Sequence, residues 1–279
     1  MINLKKIKLA LFLFGFLIII FILGGVGGDL KTKFQTINIQ GLPNDLNNLK
    51  IAHLSDLHMK EKDSVYEKII DELAKKKPDI IVVTGDFIDE SENIEICIDF
   101  VKRLKAKYGV WAVLGNWEHG MDDTEKFVAR LKKTDIKLLI NENRKIKIGD
   151  SFLYIVGVDD PFFQKDNLPL ALKGVPSNSK QKFTILLAHS PDIFKLAKQH
   201  NISLTLAGHT HGGQVRLPLI GPLYSLTPNM GKYSMGLFKE DNSQMYVNPG
   251  IGVSKIPFRL FCPPELTIIN LHNFQKKSK

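Results

Sequence analysis

A chain of 279 residues, 44% hydrophobic and 24% charged, is long enough for one large domain with a substantial core, and its composition excludes an intrinsically disordered protein. Its net charge of +9 suits an anionic substrate or a lipid surface, although a lysine-rich sequence reaches that balance with no such partner. The two cysteines, Cys97 and Cys262, have no metal or redox spacing. Cys97 shares a helical pattern with Ile94, Ile98 and Val101 and reads as a small buried hydrophobe.

Residues 9–28 carry no charge, and about twenty such residues suffice to cross a hydrocarbon core as a helix. Residues 1–28 are therefore expected to be an N-terminal membrane anchor, a single pass that places the protein at a membrane. A cleaved signal peptide is the competing reading, because Gly25 and Gly27 are small, but the run is long and contains no A-x-A. Lys5, Lys6 and Lys8 before the run favour a cytoplasmic N-terminus and an external domain. Lys31 and Lys33 after it weaken that bias and leave the side open.

Strand patterns follow at 34–41 and 49–56, then a helix over 63–77 that Pro78 ends. Next come strand 79–86, helix 93–107, strand 110–116, helix 122–133 and strand 136–140. Apolar strands alternating with helices indicate βαβ units and a mostly parallel sheet. Beyond them lie a hairpin turning at Gly149-Asp150, a loop-rich segment 160–180, strand 183–190, a helix to about 199 and strand 203–209. A Gly/Pro-rich loop to about 232 and short strands at 244–249 and 265–271 finish the chain. No internal repeat is present, so residues 29–279 read as one α/β domain.

Five segments share a property: residues able to bind metal stand just beyond a predicted strand. They are Ser55-Asp56-Leu57-His58, Gly85-Asp86, Gly115-Asn116, Ala188-His189 and Gly208-His209-Thr210-His211. In open α/β sheets the crevice beyond the strand ends takes ligands. Asp, Asn and His offer the oxygen and nitrogen donors that suit Mn, Fe or Zn, and glycines at 85, 115 and 208 permit tight turns. One such segment is ordinary strand-end chemistry; five in series are not.

The succession D-x-H, G-D, G-N-x-E, single H and G-H-T-H resembles the calcineurin-like metallophosphoesterase family over nearly all of residues 50–271. GHTHGGQVRLP and PFRLFCPPELTIINL resemble a narrower bacterial branch of membrane-anchored or exported phosphodiesterases and UDP-2,3-diacylglucosamine pyrophosphatases of lipid A synthesis. The resemblance implies two packed mixed β-sheets flanked by helices and a site for two divalent cations. Asp56, His58, Asp86 and His211 would hold one, and Asp86, Asn116, His189 and His209 the other. Asp86 bridges them, and a shared water acidified by both metals would be the attacking hydroxide. Asn116 adds a neutral oxygen.

Trp117 departs from the family pattern, which has a histidine in its place. An indole N–H donates a hydrogen bond but does not transfer its proton near neutral pH. A site lacking that acid should favour leaving groups already stable as anions, such as a nucleotide phosphate. His119, oriented by Glu118, restores the acid if it turns inward; otherwise it faces solvent. Arg216 and Arg259 are candidate phosphate ligands or surface ion-pair partners, and Asp159 and Asp160, at the end of a strand, either reach the rim of the site or are turn residues before Pro161. The apolar loop 216–226 either packs under a lid or faces lipid.

The expected function is hydrolysis of a phosphodiester or pyrophosphate on a phosphate-containing small molecule, with a nucleotide-linked lipid as one candidate. A broad cell-envelope or nucleotide phosphodiesterase is the alternative, and a non-catalytic binding module that kept the fold is the alternative of another class. No nucleic-acid partner is expected.

Overall fold

The computed structural model describes residues 4–23, 28–60, 63–177, 180–217, 219–223, 232–254 and 257–274. In chain order these form α1 (Leu4–Leu23), β1 (Lys31–Gln40), β2 (Lys50–Leu54), α2 (Ser64–Lys76), β3 (Ile80–Thr84), α3 (Ile94–Arg103) and β4 (Val110–Val113). Then come α4 (Asn116–Gly120), α5 (Thr124–Leu131), β5 (Ile136–Leu138), β6 (Glu142–Ile148), β7 (Ser151–Gly157), α6 (Leu168–Ala171), β8 (Lys182–Leu187) and α7 (Phe194–Gln199). The last are β9 (Leu204–Ala207), β10 (Arg216–Leu217), β11 (Gly221–Pro222), β12 (Gly236–Glu240), β13 (Ser243–Val247) and β14 (Glu265–Phe274).

Side chains alternate across a strand, and that alternation sets four layers. Ile51, Ile80, Val82, Trp111 and Val113 of one sheet meet Leu153, Ile155, Phe183, Ile185, Leu204 and Leu206 of the other in a core between the sheets. The intervening residues Ala52, Leu54, Ile81 and Val83 face outward, onto the apolar sides of α2, α3 and α5 at Ile69, Leu73, Cys97, Phe100 and Phe127. On the far side of the second sheet, Val156, Leu186 and Val247 pack on Phe194 and Ala197 of α7. Cys97 is fully buried, as its helical spacing predicts.

The first sheet has the order β1-β14-β2-β3-β4-β5 and the second β12-β13-β9-β8-β7-β6. The runs β2-β3-β4-β5 and β13-β9-β8-β7 are parallel. Each sheet is made mixed by antiparallel pairs: β14 with β2, β12 with β13, and β6 with β7. The parallel registers Leu54↔Val83 and Thr84↔Val113 bring the C-terminal ends of β2, β3 and β4 together, and Leu187↔Leu206 does the same for β8 and β9. Both sets of ends open onto one edge, where the site lies.

Two expectations are corrected. The segment read as a loop from 209 to about 232 contains the β10–β11 hairpin, and β12 (Gly236–Glu240) follows it as a strand the sequence reading did not assign; residues 218 and 224–231 lie outside the described ones. The expected transmembrane helix also changes. The 20-residue α1 begins at Leu4 and so includes Lys5, Lys6 and Lys8. Its charge-free part, residues 9–23, rises about 22 Å at 1.5 Å per residue, short of the ~30 Å of a hydrocarbon core. Among the described residues no helix is long and apolar enough to cross a membrane; residues 24–27 of the expected span are outside them.

Candidate metal centre

The chain turns sharply at the strand ends to present its polar residues. Asp56, His58, Asp86, His209 and His211 all have positive φ, between 45° and 70°. That left-handed region is uncommon for any residue with a side chain and costs on the order of 1–3 kcal/mol where it is held. Its recurrence at five residues that converge on one place marks a site for which the fold sustains strain. Gly85, at φ 84°, makes the turn that releases Asp86. Gly208 makes a close approach instead, since a Cβ there would meet Ser55 Oγ at 1.8 Å and Asp56 Oδ2 at 2.4 Å.

Two clusters result. Asp56, His58, Asp86 and His211 form one, and Asp86, His189 and His209 the other, with the ligand atoms of each within 4.8 Å of one another. His58 Nε2 lies 3.0 Å from His211 Nε2 and 3.6 Å from Asp86 Oδ2. His189 Nε2 lies 3.1 Å from the same Oδ2, 3.0 Å from His209 Nδ1 and 3.0 Å from Asn116 Oδ1. Asp86 Oδ2 thus stands between the clusters, while Oδ1 accepts the Trp117 N–H at 2.9 Å. The sequence-derived set of seven residues is brought together complete, with Asp86 shared.

Partners that the sequence reading missed fix these side chains. Asp89 Oδ1 accepts from His58 Nδ1, and Asp89 Oδ2 is bridged to Lys60 Nζ at 2.9 Å. His189 Nδ1 donates to the Thr84 carbonyl at 2.7 Å. In both rings that bond keeps a proton on Nδ1 and turns Nε2 toward the cluster, the usual arrangement behind a metal-binding histidine. Both Asp56 oxygens accept the His209 N–H at 3.0 Å. Glu118 does not orient His119 as expected. It is fully buried and accepts the N–H groups of Asp86, Phe87 and Gly115 at 3.0, 2.6 and 2.7 Å, pinning the turns that carry Asp86 and Asn116. Burial and the nearby Asp86 carboxylate push Glu118 up to about 7.

The electrostatics call for cations. Asp56 and Asp86 are buried at 0% and 1% exposure, and among the described residues neither has a lysine or arginine salt bridge. Burial opposes the charge on His189, but the Asp86 carboxylate beside it overrides that and holds the imidazolium up at about 10. Burial likewise opposes ionisation of Asp86, and His189 and His58 hold it down near 2. The chain alone meets its buried carboxylates with a proton on histidine. Imidazole nitrogens facing each other at 3.0 Å beside carboxylate oxygens fit divalent cations better. The donor set therefore fits two such ions.

The rim residues are placed differently from expectation. The Trp117 ring stands edge-on to His58, centroids 5.6 Å apart. His119 turns inward: Nε2 meets Asp159 Oδ1 at 2.6 Å and Nδ1 faces Lys165 Nζ at 3.1 Å, so both ring nitrogens are engaged. Of the two readings of Asp159, turn acid or rim residue, the structure gives the second, with Asp159 as the partner of His119. The same turn carries Phe162 to within 5.3 Å of the His209 ring. Arg259 is neither a phosphate ligand at an open surface nor a surface ion pair. At 1% exposure it donates to the carbonyls of Gly252 and Cys262, with Nη2 3.3 Å from His211 Nδ1. Arg216 donates to the Gly212 carbonyl at 2.7 Å, bracing the loop behind His211.

An α/β sandwich closing on two carboxylate–imidazole clusters that share one aspartate defines a metal-dependent phosphoesterase. A model of the calcineurin-like phosphoesterases matches residues 49–213. The Bacillus subtilis protein named uncharacterized metallophosphoesterase YkuE is 30% identical over 249 residues, covering 87% of this chain and 85% of YkuE. The Bos taurus transmembrane protein with metallophosphoesterase domain is 31% identical over 251 residues, 83% of this chain but 54% of that protein. Among solved structures, Thermus thermophilus sulfate thiohydrolase SoxB in complex with glycerol shares the fold at a TM-score of 0.51 and 11% identity, over 81% of this chain and 57% of that one. The chain belongs to the calcineurin-like phosphoesterase family.

Proposed function

We propose that this phosphoesterase hydrolyses phosphodiester or pyrophosphate bonds whose leaving group is already stable as an anion. The observation that carries the reading is Trp117, whose indole stands over His58 where a proton-donating imidazole is the family's pattern. In this reading Asp56, His58, Asp86 and His211 hold one cation, and Asp86, Asn116, His189 and His209 the other, with Mn, Fe or Zn each suited to the donors. When bound, two such ions polarise phosphoryl oxygens and acidify water.

The chain's own residues then position and exclude. Trp117 can donate one hydrogen bond to a phosphoryl oxygen. His119 is a positioning residue rather than the acid, because Asp159 and Lys165 occupy both its nitrogens. Lys165, held at the rim by that ring, offers an ammonium to a departing anion. A pyrophosphate with a nucleotide phosphate as leaving group belongs to this substrate class, and a UDP-linked acylated sugar is one member of it.

Membrane attachment through the N-terminal segment is part of the same proposal. It is supported by α1, whose Leu11, Phe12, Phe14, Phe16 and Leu17 are all more than half exposed, an apolar surface that soluble monomers rarely show.

The test is a series of phosphodiesters of increasing leaving-group basicity. Turnover should fall steeply along the series in the wild type. Trp117→His should flatten the slope, gaining on the order of 10²-fold on alkyl diesters and little on aryl ones. A wild type already indifferent to leaving group contradicts the reading.

A further inference from the structure

From His58 a groove of 710 Å³ runs away from the metal centre to Gly28. One wall is the first turn of α2 with Val65 and Lys68, the other the segment at Val253, and Leu30 lines the far end. The groove is amphiphilic along its length. Lys60 stands near the His58 end, and Lys68 lies further out in an exposed bridge to Asp29 at 3.0 Å, the kind of pair that yields readily to another anion. Val65, Val253 and Leu30 supply apolar surface, and Asp63 lines the groove beside these lysines.

The far end of the groove is also where the N-terminal segment meets the body. Gly28 packs on Pro263, and the Lys31 N–H donates to the Pro264 carbonyl at 2.8 Å. Gly28 is thus separated by only residues 24–27 from the end of α1, whose apolar side chains are exposed. The exposed apolar segment and the Gly28 end of the groove are thus close neighbours along the chain.

We propose that this groove takes the hydrocarbon part of a membrane-resident lipid phosphoester, with its phosphate at the His58 end and its chain running past Val65 and Val253 toward Gly28. The proposal rests on the phosphoesterase reading and names its substrate class: a phosphodiester or pyrophosphate esterified to a lipid, taken from a bilayer beside the N-terminal segment. Lys60 and Lys68 complement the negative headgroup region, and the apolar walls take the first methylenes of the chain.

The experiment uses the full chain with two readouts. The first compares manganese-loaded wild type, Val65→Asp and Val253→Asp on bis(p-nitrophenyl) phosphate and on a p-nitrophenyl phosphodiester of a diacylglycerol in vesicles. A carboxylate placed against the chain should lower the ratio of lipid to soluble turnover by on the order of tenfold in each variant, and Val65→Leu and Val253→Leu should restore it. The second exposes metal-free protein to vesicles containing a phosphatidylglycerol with a diazirine in its acyl chain. Cross-links should fall on peptides containing Val65 or Val253 and disappear in the Asp variants. An unchanged turnover ratio together with cross-links elsewhere overturns the groove assignment. Cross-links in the groove with no hydrolysis of either ester overturn the phosphoesterase reading instead. Labelling by a soluble dodecyl phosphate but not by vesicles contradicts the bilayer as the source.

Discussion

Residue identities at this site matter through what stands behind them. His58 points its Nε2 at the cluster because Asp89 takes the proton on Nδ1, and Asp89 in turn is neutralised by Lys60. Asp89→Asn keeps an acceptor but loses the charge that raises the ring's basicity. It should cost about 10–100-fold in metal affinity, read by calorimetric titration of manganese into metal-free protein, with Asp86→Asn as the more severe reference. The clustered Asp, Asn and His residues were legible in the sequence because each lies within four residues of the end of an apolar strand. Asp89 and Glu118 were not, because an acid two or three residues after such a residue looks the same whether it supports a ring, caps turns or faces water. Their roles exist only once β3 lies between β2 and β4, Asp89 reaching the β2 end and Glu118 the β3 end. Asp159 and His119 are 40 residues apart in sequence, and their bond follows from how the turn after β7 folds over α4.

Strand ends, turns and short helices deliver those residues, and element-scale changes should act through delivery. Gly208→Ala puts a methyl group into Ser55 and Asp56, so the β2 and β9 ends must part. The variant should lose about 1–3 kcal/mol of stability in denaturant melts and lose hydrolysis by more than about 100-fold, since a displacement of an ångström at such a site has that effect.

A second element-scale link is remote from the site. Glu240 at the end of β12 accepts from Lys198 of α7 at 2.5 Å, Lys232 at 2.8 Å and the Tyr233 hydroxyl at 2.6 Å. Those hydrogen bonds hold it down at about 2 against an ordinary 4.5. A carboxylate with a depressed folded-state value contributes stability above its unfolded value and loses it as pH falls. Glu240→Gln should therefore lower Tm at pH 7, and its difference from wild type should shrink from pH 4.5 downward and vanish near pH 2. A difference that stays constant across that range contradicts the assignment. β12 itself escaped the sequence reading because Gly236–Glu240 lacks clean alternation, although Asp241-Asn242 after it is the turn that pairs it with β13.

At the scale of the molecule, two sheets meet at one edge, the first contributing Asp56, His58, Asp86 and Asn116 to the centre and the second His189, His209 and His211. The alternation of apolar strands with helices made the α/β class and the parallel runs legible. The mixed character was less so, because β14 enters the first sheet between β1 and β2 and joins the two ends of the chain. Pairings over more than 200 residues leave no local trace in composition. The N-terminal segment shows the reverse limit. Its apolarity was plain, but hydropathy alone did not fix the helix ends, which the structure places at Leu4, among the lysines, and Leu23.

The central claim is that the chain builds a dinuclear centre through the shared carboxylate of Asp86. Its most direct test is the metal content of manganese-reconstituted protein, measured by mass spectrometry after removal of loosely bound ion and compared between wild type and Asp86→Asn. The expected result is about two ions per wild-type chain, with the variant retaining fewer and losing hydrolysis of an aryl phosphodiester. A wild type that hydrolyses the diester with one ion or none, or an Asp86→Asn variant that keeps both ions and full turnover, would contradict it.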